Sequence, residues 1–132
     1  MNFGYVGDAT RIRSGFKCSH PEGLYFIGDL FVNYNCVFLA NAPILIGRNV
    51  AIGPGSHFYT INHELHSSGN FISEKSPIYV EDNVWIGGRV VVLPGVQISS
   101  RCIIGAGSVV TRSTEPGGVY AGVPAKRIKS VN

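Results

Sequence analysis

Of the four histidines in the chain, His63 has the setting that best fits acid–base chemistry. It ends the run Tyr59-Thr60-Ile61-Asn62-His63, directly before a polar stretch that includes Ser67-Ser68-Gly69-Asn70. An imidazole titrates near neutrality unperturbed, so it can accept a proton from a hydroxyl as that hydroxyl attacks a carbonyl. His20 precedes Pro21 and reads as a loop residue, while His57 and His66 read as turn and loop residues. Asn33 stands thirty residues before His63, and Gly88 and Ala106 are eighteen apart. The chain closes on a basic segment carrying Lys126 and Lys129, cations suited to an anionic ligand. Cys18, Cys36 and Cys102 are odd in number and contain no CxxC pair. They read as reduced thiols of a cytoplasmic protein, and no nucleophile–base pair stands out.

The chain has 132 residues, room for one domain. Its composition is 45% hydrophobic and 14% charged, enough apolar material for a core and too little charge for a disordered chain. Seventeen glycines point to many tight turns and few long helices. No apolar run is long enough to span a membrane, and the mixed stretch Met1 to Lys17 does not read as a secretory signal. The net charge of +3 suits a small polyanionic ligand and falls short of a nucleic-acid surface.

A six-residue period supplies the elements that would position these groups. From Val80, the first positions of successive hexapeptides are Val80, Ile86, Val92, Ile98, Ile104 and Val110. The fifth positions are Val84, Val90, Val96, Cys102, Ser108 and Thr114, all small or medium. The period holds upstream at Ile46, Ile52 and Phe58, and a step of six links Ile27, Asn33 and Leu39 before one extra residue shifts the frame. A 3.6-residue helix would scatter such positions around its circumference. A parallel β-helix does not: three units close one triangular coil of eighteen residues, and coils are stable only when stacked. On that frame Gly88 and Ala106 share one edge, with Pro124 a further coil on. Asn33 and His63 fall on different sides of one prism and meet only if prisms pack together. Trp85, the only tryptophan, occupies a sixth position outside the inward set. The expected layout is a cap over residues 1–25, an excursion loop over 63–77 and a tail over 113–132.

Five segments carry a family resemblance. They are Phe31-Val32-Asn33-Tyr34-Asn35-Cys36, Tyr59-Thr60-Ile61-Asn62-His63, Asp82-Asn83-Val84-Trp85-Ile86-Gly87-Gly88, Ile104-Gly105-Ala106-Gly107-Ser108-Val109-Val110-Thr111 and Gly122-Val123-Pro124-Ala125-Lys126. As an ordered set they resemble the hexapeptide-repeat acyltransferases, in the branch of galactoside, maltose and polysaccharide O-acetyltransferases. The resemblance implies an all-β, left-handed parallel β-helix. It also implies transfer of an acetyl group from acetyl-CoA to a sugar or polysaccharide hydroxyl. Sugar acetyltransferases of this branch often carry a helical N-terminal region, and nothing here resembles it.

By the same resemblance His63 is the general base, Asn33 belongs to the acceptor site, and the Gly88 amide holds the developing oxyanion. The donor would lie along Trp85, Gly88 and Ala106, bordered by Thr111 and Arg112, with Lys126 and Lys129 meeting its phosphates. The family's trimers would share acceptor sites between neighbours. No metal and no nucleic acid is expected. Three rival readings stay open: an amine acceptor such as an amino-sugar nucleotide, a zinc lyase like the γ-type carbonic anhydrases, and a non-catalytic scaffold.

Overall fold

The computed structural model describes residues 1–132. Short strands joined by tight corners wind through almost the whole chain. The first coil comprises β1 (Tyr5–Val6), β2 (Thr10–Ile12) and β3 (Lys17–Ser19). A single 3-10 turn at Pro21–Gly23 leads to β4 (Leu24–Phe26), β5 (Leu30–Val32) and β6 (Val37–Leu39). The third coil is β7 (Ile44–Ile46), β8 (Val50–Ile52) and β9 (His57–Tyr59), after which β10 (Ile61–Leu65) and β11 (Phe71–Lys75) leave the coil as a pair. The fourth is β12 (Ile78–Val80), β13 (Trp85–Ile86) and β14 (Val91–Val92), and the fifth is β15 (Gln97–Ile98), β16 (Ile103–Ile104) and β17 (Val109–Val110). The chain ends in β18 (Gly118–Gly122) and β19 (Ala125–Ser130).

Each strand pairs in parallel with its counterpart one coil away, which makes three flat faces. Face A is β1-β4-β7-β12-β15 and face C is β3-β6-β9-β14-β17. Face B runs from β2 through β5, β8, β13 and β16 to β18 and β19. The result is a left-handed parallel β-helix. Its corners need residues that accept positive φ. Asn35, Asn49 and Asn83 lie at φ 60, 56 and 61, and asparagine tolerates that region better than most residues.

The inward positions expected from Val80 onward are all buried, as are their fifth-position partners from Val84 to Thr114. Upstream, Ile46, Ile52 and Phe58 are buried as expected, whereas in the second coil the phase differs. The buried residues are Phe26, Val32 and Phe38, each one residue before Ile27, Asn33 and Leu39. Leu24 faces Ile44 and Leu30 faces Val50, so these coils hold twenty residues, whereas Tyr79 faces Gln97 at eighteen. Large inward side chains fill the early coils: the Phe38 and Phe58 rings stack at 4.5 Å, and Phe26 meets Phe38 edge-on at 5.5 Å. Burying each such ring stabilises the prism by about 1.5–3 kcal/mol.

Residues 1–25, expected as a cap, form a first coil in register with the second, Tyr5 facing Tyr25 and Lys17 facing Val37. The end is closed by Phe3 and Phe16, which pack on the core. The expected loop is an antiparallel hairpin in which His63 faces Ser73. The expected tail is also a hairpin: β18 extends face B in parallel with β16, and β19 folds back on it. No helix is long and apolar enough to cross a membrane.

Candidate functional site

Where face B turns into face C, corner residues stack from coil to coil. Asn35 N–H donates to Ser14 O (3.1 Å), Gly55 to Tyr34 O (2.8 Å), Arg89 to Pro54 O (2.8 Å) and Gly107 to Gly88 O (2.9 Å). Gly88 and Ala106 therefore share an edge, as their spacing predicts. Pro124 does not join them. Ile104 faces Tyr120, sixteen residues on, so Gly122 continues the edge and Pro124 lies in the hairpin turn after it. An open groove of about 670 Å³ follows the edge, lined by Asn35, Pro54, Gly55, Gly88, Ala106 and Gly107, with Arg89 at its side. The N–H groups of Gly88 and Ala106 have no intramolecular acceptor and remain free to donate. The groove's small side chains fit a thin, extended ligand.

The Gly88 turn is held from below. Buried Ser56 donates to Gly87 O (2.9 Å) and accepts from Val90 N (3.2 Å), bracketing the turn. Gly53 packs so closely that a Cβ there would lie 2.4 Å from the Gly88 nitrogen, so that position must be glycine. Gly87 is similarly confined: a Cβ there would lie 2.8 Å from the Ala106 nitrogen.

His63 projects from the exposed hairpin, its Nδ1 3.1 Å from Ser73 Oγ. That hairpin leaves the prism between β9 and β12, at the corner between faces C and A. Asn33 sits at the B–C corner just after β5, where its Oδ1 accepts the Tyr34 N–H at 2.8 Å. The chain does not bring the two together, and face C lies between them. Asn33 is not the left-handed residue of its corner; Asn35 is. Trp85 is 59% exposed on face B, one turn before Gly88.

The remaining predicted residues divide between two regions. Thr111 and Arg112 follow β17 and are exposed at the C–A corner, so within one chain they do not border the groove. Lys126 and Lys129 lie on β19 opposite Ala121 and Val119, exposed and without an ion-pair partner. Arg127 stands between them, its guanidinium 5.9 Å from the Tyr120 ring centre. His57 Nδ1 meets the Tyr59 hydroxyl at 2.6 Å on face C, while His63 and His66 are on the hairpin. No group of three potential metal ligands forms. Cys36 and Cys102 are buried core residues. Burial raises the Cys36 thiol pKa above its ordinary value, and burial followed by the Glu22 charge raises that of Cys18.

Residues 77–112, coils four and five, match the family described as bacterial transferase hexapeptide (six repeats). The chain is 34% identical to the galactoside O-acetyltransferase of Escherichia coli, over 98% of this chain and 65% of that protein. The maltose O-acetyltransferase of Clostridium difficile superposes with a TM-score of 0.92 at 36% identity, over 98% of this chain and 71% of that one. The chain belongs to the hexapeptide-repeat acetyltransferases. A family member from Vibrio cholerae, solved in complex with acetyl coenzyme A, superposes with a TM-score of 0.94 at 36% identity, over 98% of this chain and 72% of that one. The chain spans 60–65% of the length of curated relatives from Schizosaccharomyces pombe and E. coli.

Three residues of this member of the hexapeptide-repeat family were not singled out by sequence. Ser56 could have been: a serine at an inward fifth position must find hydrogen-bond partners, and the adjacent corner supplies them. Arg127 lies between the two predicted lysines and shares their setting. Ser73 carried no signal, because its partnership with His63 depends on hairpin register.

Proposed function

We propose that the chain is an acetyl-CoA-dependent O-acetyltransferase of a sugar or polysaccharide hydroxyl, working by direct transfer with His63 as general base. The observation that carries this reading is the small-residue groove with two unpaired N–H donors on its edge. When bound, acetyl-CoA supplies an acetyl thioester. The groove admits its narrow arm, Trp85 walls the face B side, and Lys126, Arg127 and Lys129 offer uncompensated charge to its phosphates. The tautomer in which His63 Nδ1–H donates to Ser73 Oγ turns the Nε2 lone pair outward, toward an acceptor proton. The Gly88 N–H donates to the carbonyl oxygen as negative charge builds on it. Ser56 and Gly53 keep that donor in place.

His63, Thr111 and Arg112 belong to the C–A corner, whereas Asn33, Gly88 and Ala106 belong to the B–C corner. One chain cannot close a site from both. A cyclic homotrimer can, with the C–A corner of each copy set against the B–C corner of the next. The V. cholerae relative's complex with acetyl coenzyme A supports the donor. The galactoside and maltose enzymes among its relatives support a saccharide hydroxyl over an amine. The test is calorimetric titration with acetyl-CoA, followed by a thiol-release screen of saccharide acceptors. Saturable binding that weakens in Lys126→Ala/Lys129→Ala, with thiol release for at least one sugar, is expected. No binding would overturn the reading.

A further inference from the structure

Two arginines lie beside the proposed acceptor corner with no partner of their own. Arg11, in the middle of β2, faces Phe31 in β5. Arg13 N–H donates to Val32 O at 2.9 Å, which sets Arg13 beside Asn33 one coil away. Both guanidinium carbons lie 5.2 Å from the centre of the same Phe31 ring. Neither side chain forms a hydrogen bond or an ion pair; the one ion pair in the chain joins His20 and Glu22. Asp29 lines the same shallow groove of face B as Arg11 and Phe31, yet pairs with neither arginine. Two cations sharing one aromatic ring repel each other, and both arginines are exposed to solvent. An anion placed between them would relieve that repulsion and accept charge-assisted hydrogen bonds from both.

We propose that Arg11 and Arg13 bind an anionic group, phosphate or carboxylate, carried by the acceptor saccharide. This rests on Asn33 marking the acceptor site, and it narrows the substrate class from neutral sugars to charged ones. The arginines lie three coils from the Gly88 level, with Arg11 facing Phe31, Phe31 facing Ala51 and Ala51 facing Trp85. At the usual spacing between paired strands that is about 14 Å, which a hexose with a charged substituent on its far side covers together with the length of an arginine side chain. Arg13 and Asn33 would then grip neighbouring parts of one ligand.

The experiment measures thiol release from acetyl-CoA with the 1-phosphates of glucose, galactose and N-acetylglucosamine, with glucuronate and galacturonate, and with the matching neutral methyl glycosides. It compares the full chain with Arg11→Gln/Arg13→Gln. Both residues are exposed, so the variant is expected to fold, and acetyl-CoA binding by calorimetry verifies this. At least one charged sugar should have a KM roughly tenfold or more below its neutral counterpart. The double variant should erase that difference without changing kcat or donor affinity, and added salt should weaken it. Phosphates and uronates separate the two sources of charge. Neutral glycosides used as well as charged ones, or a preference unchanged in the variant, would overturn the proposal. Failure to bind acetyl-CoA, or to release thiol with any sugar, would overturn the transferase reading and this proposal with it.

Discussion

His63 stands on an arm outside the core, and its only hydrogen-bond partner is Ser73. Chemistry and stability should therefore separate at this position. His63→Ala is expected to lower kcat by about 10²–10⁴-fold while acetyl-CoA affinity and the melting temperature hold, as steady-state kinetics and calorimetry would report. Ser73→Ala keeps the base and loses its anchor; kcat should fall about tenfold with the donor KM unchanged. Ser56 behaves in the opposite sense. Its hydroxyl is buried and satisfies the Val90 N–H. Ser56→Ala leaves that donor without a partner and should cost about 1–3 kcal/mol in urea unfolding. It should also slow turnover, because the loosened turn carries Gly88.

At the scale of elements, the residues added to the six-residue step in the first three coils all fall at the C–A corner. The first two coils widen there, around Pro21–Gly23 and at Ala40–Pro43, and the third emits the hairpin there. Thr60 and Ser76 remain joined across the base of that hairpin by a 2.9 Å hydrogen bond. A short linker joining Thr60 to Ser76 should therefore preserve the prism, changing stability by roughly 1 kcal/mol or less, while abolishing turnover. Circular dichroism and thiol release would check both halves. The later coils were legible in sequence because valine and isoleucine recur in one phase without interruption. The early phase was misread because the inward residues are Phe26 and Phe38, while aliphatic Ile27 and Leu39 beside them sustain a false step of six. The first coil was hidden for a related reason: Val6, Ile12 and Cys18 do keep the step, but Cys18 is small and Val6 and Ile12 are partly exposed. Gly88 and Ala106 were legible as an edge because eighteen residues is one full later coil. Pro124 was not, because the last coil is shorter and bends into a hairpin.

At the scale of the molecule, residues of the two corners can meet only between copies. Mixing His63→Ala with Asn33→Ala chains, unfolded together and refolded, tests this directly. In a cyclic trimer assembled at random from equal amounts, roughly a quarter of the sites would pair an intact His63 with an intact Asn33. Activity should return to about that fraction of wild type. A mixture as inactive as its parents would place both residues of each site in one chain, contrary to the proposed arrangement.

The stacking of coils also makes the chain a ladder with rungs of unequal length. Strand partners are twenty residues apart in the early coils, eighteen in the later ones, and thirty-four across the hairpin, where Ile44 faces Ile78. Under mechanical load from its two ends, such a ladder would yield rung by rung. An eighteen-residue coil would pay out about 60 Å of contour, and the one bearing the hairpin about 115 Å. Optical-trap traces would then carry one long step among short ones, marking the junction between the aromatic and the aliphatic halves of the prism.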